Sequence, residues 1–332
     1  MPEAPAPNHT RTLRDAAGLA DAGQVPAAPV PALGAVQARY SIAVTPAMAR
    51  LIDPADPADP IAAQYIPRAE ELVTAPHELL DPTADEAFTP VPGVVHRYPD
   101  RALLKPLLAC PVYCRFCFRR EVVGPDGGLL TEAELEGALA WFERTPEVRE
   151  AILTGGDPLM LSPRRLGAIL SRLAAIPHIE VLRIHTRVPV ADPGRVTEAL
   201  AAAMGTEKAL FLCVHANHAR EFSSDAATAL RRLTRAGVVL LGQSVLLRGV
   251  NDSAAALEAL FRTMLRHRVK PYYLHQLDHA PGTARFEVPV EEGRALLRQL
   301  RHRVTGLAWP NYVQERPGGA GKVPLGPVWE VG

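Results

Sequence analysis

Three thiols fall within eight residues in Cys110-Pro-Val-Tyr-Cys114-Arg-Phe-Cys117, and the 332-residue chain has one further cysteine, Cys213. Three clustered thiolates can hold three irons of a four-iron cluster, leaving the fourth iron open to a small molecule. Zinc is the alternative, with Cys213 as fourth ligand, but structural zinc sites pair their ligands in two close sets and Cys213 stands alone. Disulfides need an oxidising compartment. The N terminus carries no secretory signal, so the thiols are expected to stay reduced in a cytoplasmic protein. Three cysteines this close also make poor core patterning for small apolar residues.

Two glycine-rich segments follow. Thr154-Gly155-Gly156-Asp157-Pro158 is either a plain turn or a place where backbone carbonyls approach a charged ligand closely. Pro317-Gly-Gly-Ala-Gly-Lys322 puts a lysine after a glycine loop. It is no phosphate-binding P-loop: Arg316 stands where the first glycine belongs, Val323 replaces the Ser/Thr, and no helix is predicted after it. A lysine on a flexible loop suits imine formation with the aldehyde of pyridoxal phosphate, and a solvated loop lysine is the alternative.

Elements must position these groups. From residue 101 onward, short apolar runs alternate with amphipathic segments. The patterning predicts strands at 102–109, 150–154, 181–186, 209–215, 238–246 and 271–276. It predicts helices at 132–144, 163–175, 193–204, 226–236, 253–268 and 290–304. Thr131 and Glu134 form a capping box, Ser162 with Pro163 marks a helix start, and Gly237 marks a helix end. Six strand–helix repeats imply a parallel sheet with helices outside. Six is short of a closed eight-fold barrel, so the expected fold is α/β: an open, six-stranded partial (β/α) barrel over 101–305. Chemistry in such folds sits at the carboxyl ends of the strands. Residues 1–35 read as a flexible Ala/Pro-rich arm, 36–100 as a mostly helical accessory region, and 306–332 as a C-terminal segment carrying Lys322.

Composition narrows the partners. Lys plus Arg equal Asp plus Glu at 36 each. That balance argues against a nucleic-acid or membrane surface as the main partner. No run of about 18 apolar residues exists, so no transmembrane helix is expected.

The cysteine spacing resembles that of radical S-adenosylmethionine (SAM) enzymes. Over roughly 90–328 the chain resembles the lysine 2,3-aminomutase family within them. The carrying motifs are Gly93-Val-Val-His-Arg-Tyr-Pro-Asp-Arg101, the cysteine motif with Arg119-Arg120, Leu153-Thr-Gly-Gly-Asp-Pro158, Arg183-Ile-His-Thr-Arg-Val-Pro189, His215-Ala-Asn-His218, Leu247-Arg-Gly-Val-Asn-Asp252, the segment Lys270 to Asp278, and the Lys322 loop. The resemblance implies a [4Fe-4S] cluster on Cys110, Cys114 and Cys117, SAM near Gly155, Gly156, Asp157, His215 and Gln243, and pyridoxal 5′-phosphate on Lys322 with Arg97, Tyr98 and Arg101 around it. It implies that Arg119 binds the substrate carboxylate, and that Asp278 and Glu315 flank the distal ammonium of L-lysine.

The implied activity is an isomerase reaction, amino migration from C2 to C3 of L-lysine. The same chemistry on another cationic amino acid is an alternative, and a non-catalytic iron-sulfur or zinc protein is an alternative of another class. The resemblance also implies an electron donor such as flavodoxin or ferredoxin, and a possible homo-oligomer. The short segment after Lys322, and Glu315 where longer members carry Asp, resemble the branch that makes β-lysine for elongation factor P.

Overall fold

The computed structural model describes residues 10–25, 30–124, 127–317 and 321–327. Residues 1–9 of the N-terminal arm and residues 318–320 of the glycine loop lie outside that set.

Nine strands form one sheet in chain order. They are β1 (Val94–Tyr98), β2 (Arg101–Leu107), β3 (Glu150–Gly155), β4 (Val181–Thr186), β5 (Ala209–His215), β6 (Val239–Val245), β7 (Lys270–His275), β8 (Asn311–Arg316) and β9 (Gly321–Gly326). β2 through β8 run parallel, while β1 and β9 pair antiparallel at the two edges. The six predicted strands are present within a residue or two. The six-strand count is corrected to seven parallel strands plus two antiparallel edges. The additional strands lack an apolar run: β9 reads Gly-Lys-Val-Pro-Leu-Gly, and a proline is tolerated there because it lies on an edge. Their strand character comes from pairing, not from their own patterning.

Helices α1 (Ala16–Asp21), α2 (Val30–Arg39), α3 (Pro46–Ala49) and α4 (Pro60–Tyr65) precede the sheet. Then α5 (Glu132–Glu143), α6 (Pro163–Ala174), α7 (Val188–Ala191), α8 (Glu198–Ala202), α9 (Ser224–Arg235), α10 (Ala254–Arg266) and α11 (Val290–Leu300) alternate with the strands. The predicted capping box at Thr131 and the cap at Ser162 both form. The single helix predicted over 193–204 does not: a 3-10 turn at Pro193–Arg195 ends, Val196 leaves the helical region, and Thr197 caps a new helix, α8.

The outer strand faces and the helices make one apolar core, from Leu104 and Phe142 round to Leu297 and Tyr312. The inner faces enclose a cavity. The N-terminal helices add a second apolar cluster in which Leu19, Met48, Ile61 and Tyr65 pack on Val112 of the cysteine loop and Ala191. Among the described residues no helix is long and apolar enough to cross a membrane.

The two sheet edges meet. The backbone N–H of Lys322 on β9 donates to the Tyr98 hydroxyl of β1, and Arg97 of β1 pairs with Glu315 of β8. Gly321 sits at φ +83°, and a Cβ there would strike the Tyr98 ring. Glycine at this position lets the edges approach, and the partial barrel is nearly closed.

Candidate active site

The cysteine loop leaves the carboxyl end of β2 and is pinned by backbone bonds. Tyr113 N–H donates to Ala43 O at 3.2 Å, and Arg115 N–H donates to Gln64 O at 2.8 Å. Val112, Tyr113 and Phe116 are buried, while Cys110, Cys114 and Cys117 turn toward the central cavity of about 470 Å³. Burial pushes all three thiols up, Cys117 to about 11, and Cys114 and Cys117 add to the rise at Cys110. Thiols this disfavoured as bare anions fit a bound cationic metal centre, which would expel their protons. Cys213, on β5, is buried and, unlike the other three thiols, does not line the cavity.

Gly155 and Gly156 end β3 hard against the start of that loop. Gly156 N–H donates to Leu107 O at 2.8 Å and Asp157 N–H to Ala109 O at 2.9 Å. A Cβ on Gly155 would lie 2.6 Å from Leu107 O, and one on Gly156 would collide with the Ala109 backbone. The Asp157 carboxylate accepts from Thr186 Oγ1 and Arg187 N, both at 2.7 Å, and from Leu159 N and Val188 N. It ties the ends of β3 and β4 together. His215 and Gln243 are register partners on β5 and β6, and both line the cavity. His215 Nε2 is buried without a partner, and burial with the nearby Arg187 charge holds the ring neutral.

The seam between the edges carries a second group. Lys322 lies on β9 opposite Glu315, so it is a strand residue and not the loop lysine the sequence suggests. Lys322 Nζ donates to Glu315 Oε2 at 2.8 Å, and Arg97 Nη1 donates to Glu315 Oε1. Arg101 stacks its guanidinium 3.7 Å from the Tyr98 ring centre. Arg97 keeps Nε and Nη2 buried with no partner. Two orphaned guanidinium donors beside a lysine amine fit an anionic aldehyde cofactor such as pyridoxal phosphate.

Arg119 donates through Nε and Nη2 to Asp85 Oδ2 at 3.0 and 2.9 Å, with Lys105 Nζ at 3.4 Å from the same oxygen. Asp278 follows β7 and faces the same cavity. Among the described residues its carboxyl has no hydrogen-bond or ion-pair partner. Burial, reinforced by the Glu315 charge, lifts it to about 7. An unpaired, half-ionised carboxyl beside a second carboxylate is a site waiting for a cation.

The cavity thus gathers every site residue predicted from the sequence. It adds residues that sequence reasoning missed: Asp85 on Arg119, Arg187 on Cys114, and His185 and His275 on the inner strand faces. Burial holds His185 well below the usual histidine range and His275 at about 3, with the charge of Arg183 opposing the one and that of Lys322 the other. A signal for these existed. Polar residues recur at alternate positions of otherwise apolar strands (Arg183 and His185, Tyr273 and His275), as an inward-facing row requires.

Residues 104–260 match the family described as the Radical SAM superfamily. The chain is 40% identical over 290 residues to an L-lysine 2,3-aminomutase from Clostridium subterminale, covering 87% of this chain and 70% of that one. It is 41% identical over 271 residues to an L-lysine 2,3-aminomutase from Escherichia coli (strain K12), covering 81% and 79%. It is 35% identical over 296 residues to a glutamate 2,3-aminomutase from Clostridioides difficile (strain 630), covering 89% and 70%. It spans 60% of the length of a Bacillus subtilis (strain 168) relative named L-lysine 2,3-aminomutase.

Proposed function

The chain belongs to the lysine 2,3-aminomutase family of radical SAM enzymes, a family of isomerases, and from that footing we propose that it moves the amino group of L-lysine from C2 to C3. The observation that carries the substrate is Asp278: an unpaired carboxyl near pH-neutral ionisation, facing the cavity with Glu315 beside it. A cationic side chain would give Asp278 the counter-charge that Glu315 draws from Arg97 and Lys322, whereas glutamate would bring a further negative charge.

When bound, the cluster with SAM supplies a carbon radical that removes and returns hydrogen, and pyridoxal phosphate supplies an aldehyde that carries the migrating nitrogen. The chain supplies placement and charge. Cys110, Cys114 and Cys117 are the iron ligands, with Gly155, Gly156, Asp157, His215 and Gln243 forming the SAM wall. Arg97, Tyr98 and Arg101 receive the phosphate cofactor at the seam. Arg119, aimed by Asp85, is a carboxylate receptor. Lys322 Nζ donates to Glu315 Oε2. With Lys322 as the residue that would hold the aldehyde cofactor, Glu315 Oε2 would be free to accept from the substrate ammonium. Asp278 gives up its proton as the ammonium arrives. The near-closed barrel keeps bulk water from the reacting carbon.

A one-electron donor of the flavodoxin or ferredoxin type belongs to this reading, and supply of β-lysine to elongation factor P rests on the resemblance alone. The test is an anaerobic turnover panel on reconstituted protein. Lysine should turn over, and leucine should be disfavoured by on the order of 10⁴ in kcat/KM, as for sites built around a substrate polar group. Borohydride should trap pyridoxal phosphate on Lys322 and nowhere else. Glutamate or leucine turnover matching lysine would remove the substrate assignment, and label on another lysine would remove the role of Lys322.

A further inference from the structure

One guanidinium touches the cysteine loop without a role in the reading above. Arg187 follows β4 and is 5% exposed. Its Nη1 donates to Cys114 Sγ at 3.2 Å. Its Nη2 donates to Gln64 Oε1 and to Glu221 Oε2, each at 2.7 Å. The plane is fixed from the sides by Tyr65 and Phe116, whose ring centres lie 5.1 and 5.4 Å away. Its backbone N–H is held by Asp157 at 2.7 Å.

The counter-charge is fixed as firmly. Glu221 is 0% exposed and accepts from Asn217 N at 2.7 Å, His218 N at 2.9 Å, Gln64 Nε2 at 3.3 Å and the Tyr65 hydroxyl at 3.4 Å. Asn217 Nδ2 also holds Gln64 Oε1 at 3.1 Å. Four chain segments therefore converge to aim one cation at one sulfur. Stability alone is a weak account, because a buried ion pair costs desolvation and apolar packing serves as well. Neutralising Glu221 would take a single contact, yet a second donor is directed away from it, onto Cys114.

We propose that Arg187 is a positioning residue that sets the reduction potential of the cluster held by Cys110, Cys114 and Cys117, with Glu221 and Gln64 controlling how much of its charge the cluster feels. The inference rests on the cluster reading. Reduction adds an electron to a buried site. A cationic donor on a ligand sulfur stabilises the reduced form more than the oxidised one, and so raises the potential. Glu221 offsets part of that charge. The two residues should therefore act in opposite directions, which a purely structural role would not produce.

The test is a redox titration of the reconstituted cluster, without SAM, followed by the electron-spin signal of its reduced form. Iron is counted first, and a wild-type protein without four irons overturns the cluster reading itself. In Arg187→Met the ratio of reduced to oxidised cluster at fixed poise should fall at least about tenfold, a shift of about 59 mV toward negative potential. Arg187→Lys should restore part of it, and Glu221→Gln should move the potential the other way. Arg187→Met leaves Glu221 unpaired, so Arg187→Met/Glu221→Gln is titrated beside it and should lie negative of Glu221→Gln alone. An unchanged potential in an iron-replete Arg187→Met protein, or shifts of the same sign in Arg187→Met and Glu221→Gln, overturns the proposal. So does failure of both Arg187→Met proteins to hold iron while Glu221→Gln holds it, which makes Arg187 structural.

Discussion

Asp278 ties substrate choice to pH. Its carboxyl rises from the ordinary 3.8 to about 7, through burial first and Glu315 second. A raised folded-state value means that the folded protein keeps a proton the unfolded chain has released. The group's contribution to stability is therefore fully present below about pH 4 and is lost as pH rises through 7. Asp278→Asn should accordingly melt higher than wild type in the substrate-free protein. Thermal unfolding at several pH values should show the gap opening between about pH 4 and 7 and staying level above. Lysine binding runs the other way, since the ammonium favours the ionised carboxyl. KM for lysine should fall as pH rises from 6 to 8 in wild type and lose that dependence in Asp278→Asn. The same variant should lose lysine turnover by about 3 kcal/mol or more, as when a buried ion pair loses one partner. A pH-independent melting gap would show that Asp278 is not the desolvated group described. At this scale the three cysteines were legible because thiols are rare and closely spaced. Asp85 was not, since nothing in a turn aspartate announces that Arg119 will lie on it.

Loops between elements do the aligning. Gly156 and Asp157, after β3, donate backbone hydrogen bonds to Leu107 and Ala109 at the start of the cysteine loop, at a separation that only glycine allows. Gly156→Ala should force the loop away from β3, lower the unfolding free energy by about 2 kcal/mol, and cut iron uptake to less than half of wild type. Gly137→Ala is the control: it lies on α5, where a Cβ meets nothing within 4 Å, and the change should stabilise by about 0.5–1 kcal/mol. Full iron uptake by Gly156→Ala would show that the loop tolerates displacement. The six strands predicted from apolar runs were legible because each carries its own pattern. β8 and β9 were not. Their inward polar residues Glu315 and Lys322 are held by Arg97 and Tyr98 of the opposite edge, far away in sequence, and not by a run of their own.

One buried carboxylate joins three parts of the molecule. Glu71, from the N-terminal region, is 0% exposed and accepts from Arg115 Nε at 3.0 and 3.1 Å. It also accepts from Arg120, and Arg285 of the loop beyond Asp278 lies 3.6 Å away. The two bonded guanidiniums belong to the cysteine loop. Glu71→Ala would strand them in the interior, at a cost of about 3–5 kcal/mol. Denaturant unfolding should register that loss, and limited proteolysis should open the N-terminal region before β1 ahead of the barrel. A loss under about 1 kcal/mol would show that these cations are served by water. Cys213→Ala should by contrast keep its full iron content, since that buried thiol on β5 does not line the cavity that the other three face.

The sequence by itself singled out the three clustered cysteines, the glycine turn at 155–156, the lysine at 322, and the strand–helix alternation whose carboxyl ends line the cavity. All of these are local signals: residue type, spacing, and a periodicity of 2 or 3.6. Only the tertiary structure decided that Lys322 lies in a strand facing Glu315, that Asp278 stays unpaired, that Arg187 points at Cys114, and that the N-terminal region clamps the cysteine loop. The physical reason is that a charge takes its meaning from what surrounds it after burial. Asp85, Asp157, Glu221 and Asp278 are all acids in a sequence. Desolvation, and the cation or amide that the fold brings to the first three, make one a partner of Arg119, one a strand tie, one a counter-charge, and leave the last an unpaired carboxyl.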